Sequence, residues 1–413
     1  MARLVDLPGY VRLWTAATVS SFGTHVTTLA LQILAAVTLH ATAFELGLLN
    51  AARWLPYLLF GLVAGVVVDR CRRKPVLVAT DLGRAVLLAV IPLLDFVDLL
   101  GIAALALFVF AFGVLSLLFE AAHQSYLPRL VPRELLTPAN ARLEQAGSVA
   151  QTTGPLIGGA LIKAVGAPVA MVADAVSYLV SGLLLASVTA PEPERHAVRR
   201  NLRAELREGL AWVYRHRTLA PMALTSHARF LFAHMLTTVY VLYALRELRI
   251  GAFGLGVSYA CAGVGAVLGG ALSGWAGRRF DVGPTMIATR AVVPFAWLLV
   301  PLASPGSGAV WAVSATQFAM WLALGAESPT ELGYRQSVTP DRLLGRMNAT
   351  IRSLNWGMIA VGAPLGGLLA DIAGYRPALW TGIAGLAVAA VVLGLSRFRE
   401  ARLADGADAV SAS

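Results

Sequence analysis

Residues 126–166 read YLPRLVPRELLTPANARLEQAGSVAQTTGPLIGGALIKAVG, and residues 334–374 read YRQSVTPDRLLGRMNATIRSLNWGMIAVGAPLGGLLADIAG. Laid over one another at a shift of 208, without a gap, the two stretches agree at 11 of 41 positions. The matches include residues that a composition rich in leucine and alanine does not supply by accident. Tyr126 falls on Tyr334, Pro132 on Pro340 and Asn140 on Asn348, while Gly154, Gly158, Gly159 and Gly166 fall on Gly362, Gly366, Gly367 and Gly374. Self-similarity over such a distance means two copies of one structural unit, so the chain divides into halves. The expected organisation is a first bundle over 1–190, a basic linker over 191–218, a second bundle over 219–398 and a disordered tail over 399–413.

What surrounds the repeat decides the solvent. Of 413 residues, 57% are hydrophobic and only 14% charged, against about 25% charged in a soluble domain. A span of bilayer needs roughly 20 apolar residues, and twelve such stretches follow one another: about 12–39, 45–68, 76–95, 101–120, 143–164, 168–189, 219–243, 253–276, 284–303, 308–328, 348–371 and 375–396. The first is too long for the core of a cleavable signal peptide. The formal charge of +10 does not mark a nucleic-acid binder, because the cations are parcelled between apolar stretches. Twenty-four lie on the side that holds both termini and four on the other, which puts both termini in the cytoplasm. Cys71 and Cys261 stand far apart, in no disulfide or metal pattern. The linker opens Pro191-Glu192-Pro193-Glu194, and then carries Leu202, Leu206, Leu210 and Val213 at the spacing of an amphipathic surface helix. The fold class expected is therefore an all-α polytopic membrane protein with twelve transmembrane helices in two pseudo-symmetric six-helix bundles. Parallel repeats of this kind are how alternating-access transporters are built, with substrate held between the halves near the midplane.

The segment Gly65-Val-Val-Val-Asp69-Arg70-Cys71-Arg72-Arg73-Lys74 resembles the signature of the major facilitator superfamily between spans 2 and 3, with Arg72 where a glycine usually stands. The resemblance implies a cytoplasmic latch made by Gly65, Asp69, Arg70, Arg73 and Lys74. Gly154-Pro155-Leu-Ile-Gly158-Gly159 is similar to that superfamily's antiporter motif, which Gly362, Pro364, Gly366 and Gly367 repeat loosely; glycines four apart let helices approach closely. Ala52-Arg53-Trp-Leu-Pro56, Asp81-Leu-Gly-Arg84, Asp174-Ala-Val-Ser177-Tyr178 and Leu206-Arg207-Glu208-Gly209-Leu210 resemble the macrolide-efflux and enterobactin-exporter branch. That branch implies a drug:proton antiporter of the inner membrane. Where its members commonly place an aspartate after Ser20-Ser21-Phe22-Gly23, this chain has Thr24 and His25.

Ionisable residues inside spans are costly and become functional candidates by default. Thr24, Gln32, Arg53, Gln151, His227, Arg229 and Gln317 are the candidates for a substrate cavity, the two arginines favouring an anionic or carboxylate-bearing solute. His25, His234, Glu120, Asp174 and Glu327 are the candidates for proton coupling. Asp81 and Arg84, three apart on one helix, are expected to pair locally. An ATP-driven pump is excluded, since neither Lys74 nor Lys163 follows the glycine that a phosphate loop requires. A membrane-embedded enzyme would show clustered carboxylates or paired histidines at helical spacing, and neither occurs. The expectation is a monomeric secondary transporter with no cofactor, exporting small amphiphilic molecules such as drugs, macrolides or siderophores; an importer of nutrients on the same fold is the alternative.

Overall fold

A computed structural model describes residues 4–189 and 202–402, with backbone alone at 62, 63, 65, 66, 69, 70, 133, 137, 202, 203, 206, 278, 307 and 341. Among the described residues the chain is helical with no strand. The first half gives α1 (Pro8–Ile33), α2 (Ala43–Arg70), α3 (Arg73–Phe96), α4 (Ile102–Leu130), α5 (Leu136–Val165) and α6 (Ala167–Ala186). After α7 (Leu202–Arg215) come α8 (Leu219–Leu242), α9 (Gly251–Phe280), α10 (Val282–Trp297) with the single turn α11 (Leu299–Leu302), α12 (Ser307–Ser337), α13 (Asp341–Ala373) and α14 (Tyr375–Leu395).

The duplication is written into the backbone as well as the side chains. α1 ends in a wide π turn over Leu34–Thr38, closed by the Leu39 N–H on the Leu34 carbonyl at 2.9 Å. α8 ends in the same device over Tyr243–Glu247, with the Leu248 N–H on the Tyr243 carbonyl at 2.9 Å. A left-handed residue follows each, His40 at φ 49° and Arg249 at φ 54°. Gly166 (φ 85°, ψ 161°) joins α5 to α6, and Gly374 (φ 93°, ψ 165°) joins α13 to α14. That backbone region strongly favours glycine, which accounts for this pair of glycines standing in register.

The chain forms two compact units, one of residues 1–41 and 52–199 and the other of 42–51 and 200–413. In the first, α1 packs on α5 and α6, and α3 packs on α4 and α6. In the second, α8 packs on α13 and α14, and α10 packs on α12 and α14. The pairing is the same in both. The repeated tyrosines anchor equivalent cores: Tyr126 is buried with Tyr10, Leu13 and Leu77, and Tyr334 with Met222, Met347 and Phe398. The outward faces are apolar, with Val86, Leu107, Phe295 and Leu395 all exposed, as a hydrocarbon solvent demands of helices whose backbone bonds are met internally.

Ten of the helices are long and apolar enough to cross a membrane among the described residues, against the twelve spans expected. The other two, α2 and α5, run for 28 and 30 residues; in α5 the polar series Gln151, Thr152, Thr153 dilutes the apolar run. Residues 191–201 of the expected linker and 403–413 of the expected tail lie outside the described residues. The helix expected from the leucine spacing is α7, which packs against α13. Val213 is wholly buried there. Glu208 clasps two arginines of α13, Arg342 at 2.7 Å and Arg346, and the Trp212 indole donates to Thr339 at 3.2 Å.

Candidate functional site

A cavity of about 250 Å³, with charged and hydroxyl groups set among aromatic walls, lies inside the first unit, walled by α1, α2 and α4 with one residue each from α3 and α6. Small side chains make room for it. Ala17, Ser20, Ser21 and Thr24 recur at helical spacing on α1. On α4 a Cβ at Gly113 would stand 2.5 Å from the Arg53 carbonyl oxygen, so glycine there lets α2 approach and brings Arg53, Trp54 and Tyr57 to the cavity wall.

The floor is a stacked column. The guanidinium of Arg84 lies between the rings of Tyr178 and Phe119, 4.3 Å from each centroid, and Phe119 in turn stacks on the His123 imidazole at 5.7 Å and 20°. Arg84 pairs with Asp81 as the three-residue spacing predicts, and Asp81 also accepts from Ser181 Oγ at 2.5 Å. Arg84 Nε and His123 Nε2 are buried and have no hydrogen-bond partner among the described residues. Thr24 Oγ1 donates to the Ser20 carbonyl at 2.7 Å, so its 2.7 Å contact with Tyr178 is a bond donated by the phenol. Arg53 Nη1 donates to Thr28 Oγ1 at 3.1 Å. Glu120 is the exposed carboxylate at the rim, and it accepts from the Tyr57 hydroxyl at 3.1 Å.

Of the residues singled out from sequence, Thr24, Arg53 and Glu120 line this cavity. Gln32 and Gln151 are half-buried outside it, and His25, one residue beyond Thr24, turns instead toward Gly154 of α5. Asp174 is fully buried between α6 and α1, directly behind Gly23, where its Oδ1 accepts from Ser177 Oγ at 2.8 Å. Gly154 and Gly158 seat α5 on α1, and Gly362 and Gly366 seat α13 on α8. The glycine motif therefore makes a close helix seam inside each unit; Pro155 and Gly159 sit in that stretch of α5. The side chains of Gly65, Asp69 and Arg70 lie outside the described residues, whereas Arg73 is buried at the start of α3 and Lys74 half-buried beside it.

The candidates of the second unit do not gather. His227 is pinned at both nitrogens, by Asn355 Oδ1 at 2.7 Å and the Tyr214 hydroxyl at 2.7 Å. An amide oxygen only accepts, so Nδ1 carries the proton and Nε2 receives the phenol. His234 donates to the Phe230 carbonyl at 2.9 Å, and Arg229 lies over the Phe230 ring at 4.9 Å. Gln317 is buried beside Tyr240. Glu327 closes a buried cluster: Arg290 donates to it from Nε, to Thr225 from Nη1 and to Ser226 from Nη2, each at 2.7 Å, with Glu331 at 3.5 Å.

Sequence reasoning missed Trp54, Tyr57, Phe119 and His123 at the cavity. A signal was there on α4, where Phe112, Ser116, Phe119, Glu120 and His123 follow the i, i+4, i+7, i+8, i+11 positions of one helix face. Also missed was the start of α2. Asp371, at the end of α13, accepts from the Ala43 and Phe44 N–H groups at 3.0 and 2.8 Å. Thr42 and Glu45 make a reciprocal capping box at 3.1 and 2.8 Å, so all four opening donors of the helix are met. No cluster of three metal-ligating side chains occurs among the described residues.

The chain belongs to the major facilitator family of transmembrane secretion effectors, whose model matches residues 7–411, and is a transporter by family and fold. It is 25% identical over 386 residues to the multidrug efflux pump Tap of Mycolicibacterium fortuitum, covering 88% of this chain and 90% of that one. YfiS of Bacillus subtilis, an uncharacterized MFS-type transporter, is 29% identical over 177 residues, 43% of this chain and 41% of its own. The crystal structure of the nucleoside transporter NupG shares the fold, with a TM-score of 0.73 over 94% of this chain and 98% of that one, at 11% identity.

Proposed function

We propose that the chain is a secondary active exporter of small amphiphilic molecules, working by alternating access and exchanging its substrate for protons. The observation that carries this reading is the cavity of the first unit, where two arginines, a carboxylate and the rings of Trp54, Tyr57, Phe112, Phe119 and Tyr178 surround a space inside the bundle. Ionisable groups held at such cost mark a pathway for a polar or charged solute. What supports export over import is the likeness to a multidrug efflux pump along 88% of the chain. Among the carboxylates, Glu120 suits proton exchange best, because it is exposed at the cavity rim, whereas Glu327 is bound by Arg290 and Asp174 is sealed behind α1. His25 and His234 turn away from the cavity and serve packing.

In this reading the protein is a twelve-span monomer of the inner membrane with both termini cytoplasmic, and its two repeats, joined through 191–218, tilt against each other. Asp69 with Arg70, Arg73 and Lys74 latches the cytoplasmic side. The test is uptake of a fluorescent amphiphile into inverted vesicles holding the protein. An inside-acid gradient drives uptake in the wild type, and Glu120→Gln removes the dependence on the gradient. Uptake that ignores the gradient in both refutes proton exchange, and no uptake by the wild type across a drug panel refutes export.

A further inference from the structure

The cavity of the first unit carries charges of opposite sign at opposite depths. Its buried end holds Arg84, 5% exposed, with both faces covered by rings and Nη2 committed to Asp81. Its Nε, like the nearby His123 Nε2, is sealed from the cavity, so Arg84 lends positive charge to the floor without offering a contact. The guanidinium within reach of a solute is that of Arg53, half-buried on the cavity wall with no carboxylate within 4 Å among the described residues. At the open end stands the Glu120 carboxylate, with Tyr57 and Trp54 beside it.

A simple anion entering this space would be held by the arginines and repelled by Glu120. A simple cation would meet the reverse. Both like-charge contacts are severe where walls of Trp54, Phe112 and Phe119 keep the local dielectric low. A solute carrying both charges satisfies both ends, and the aromatic walls match a flat ring between them. The volume of about 250 Å³ lies just under the ~300–1,000 Å³ usual for drug-sized ligands, which suits a compact molecule or one end of a larger one.

We propose that this cavity recognises amphoteric aromatic solutes, with the carboxylate seated against Arg53 and the protonated amine against Glu120. The proposal rests on the cavity being the substrate site of the exporter described above, and it names that substrate class. The test is binding to the purified full-length protein, measured by calorimetry with no gradient present, so that it stands apart from the vesicle assay. Three probes share one ring: benzoate, benzylamine and 4-(aminomethyl)benzoate. The expected result is that the zwitterion binds at least tenfold more tightly than either singly charged probe. Glu120→Gln then erases the zwitterion's advantage over benzoate, and Arg53→Gln erases its advantage over benzylamine. A singly charged probe that binds as tightly as the zwitterion overturns the proposal, as does failure of all three to bind. A wild-type ranking that survives in both variants overturns it too, because the recognition is then made elsewhere; the wild-type comparison itself depends on no variant folding.

Discussion

Replacing Asp371 with alanine tests whether the start of α2 is held by a carboxylate from α13 or simply by its own capping box. Residues 42–51 belong to the same compact unit as α13, and within it the contact is close: a Cβ at Gly47 would stand 2.5 Å from the Ala363 carbonyl oxygen. Asp371 Oδ1 accepts from Ala43 N–H at 3.0 Å and Oδ2 from Phe44 N–H at 2.8 Å. A buried hydrogen bond to a charged group is worth about 1.5–3 kcal/mol, and a carboxylate near a helix N-terminus adds about 0.3–1 kcal/mol at an exposed site. Asp371 is exposed, so water competes for both bonds and the two together come to about 1–2 kcal/mol. Local opening of the first turn of α2 should therefore rise about 5- to 30-fold in Asp371→Ala. Asp371→Asn, which keeps one neutral oxygen, should give roughly half the free-energy change. The measurement is amide hydrogen exchange over 42–46 in the purified protein, read by mass spectrometry with a segment of α5 as internal control. Exchange unchanged in Asp371→Ala, while Glu45→Ala accelerates it, would refute the reasoning and leave the capping box as the whole of the cap.

Gly113→Val drives a side chain into the Arg53 carbonyl, where backbone cannot yield, and should cost about 1–3 kcal/mol while abolishing zwitterion binding; a melting temperature equal to the wild type would show that α2 and α4 are not locked there. Arg290→Ala leaves Glu327 buried without its partner, a loss of about 3–5 kcal/mol that should appear as failure to recover folded protein, and Arg290→Met with Glu327→Leu should restore it; equal yields from the single and double variants would contradict the pairing. Outside the spans, burial holds the His216 pKa below its ordinary 6.5, and Nδ1 accepts from the Leu219 N–H at 3.3 Å at the start of α8. Its contribution to stability is whole above pH 6.5 and declines as the pH falls from there toward the lowered folded value, because the unfolded chain takes up the proton first. Thermal unfolding followed across that range should lose this component of its slope in His216→Asn.

The duplicated scaffold was legible in the sequence because parts of it admit almost no substitution. Gly166 and Gly374 occupy positive-φ backbone that strongly favours glycine, and Tyr126 and Tyr334 fill equivalent buried positions. The site was legible only where a residue stood out against its surroundings. Arg53 and Glu120 are conspicuous in apolar spans, whereas Trp54, Tyr57 and Phe119 look like any aromatic residue facing lipid until the fold turns them inward. Asp371 was hidden for another reason: a carboxylate at the end of a span reads as solvent-facing, and its partners are backbone N–H groups 327 and 328 residues away.

The two units differ in how they neutralise a buried arginine of the third helix. Each half buries an arginine within its third helix, Arg84 on α3 and Arg290 on α10, and carries an acid on the fourth, Glu120 on α4 and Glu327 on α12. In the second unit these two find each other across helices, and all three nitrogen positions of Arg290 are bonded, to Glu327, Thr225 and Ser226. In the first, Asp81 sits one turn before Arg84 and takes its charge locally, with Ser181 bracing the carboxylate. With Arg84 so partnered, Glu120 stands at the rim and accepts from Tyr57, while Arg84 stays sealed in the cavity floor. One scaffold thus gives a neutralised strut in one copy and a charged chamber in the other. In such a scheme Asp81→Asn should pull Arg84 toward Glu120 and close the chamber to the zwitterion without unfolding the bundle. Retained zwitterion affinity in Asp81→Asn would mean that the local pair does not set the geometry of the site.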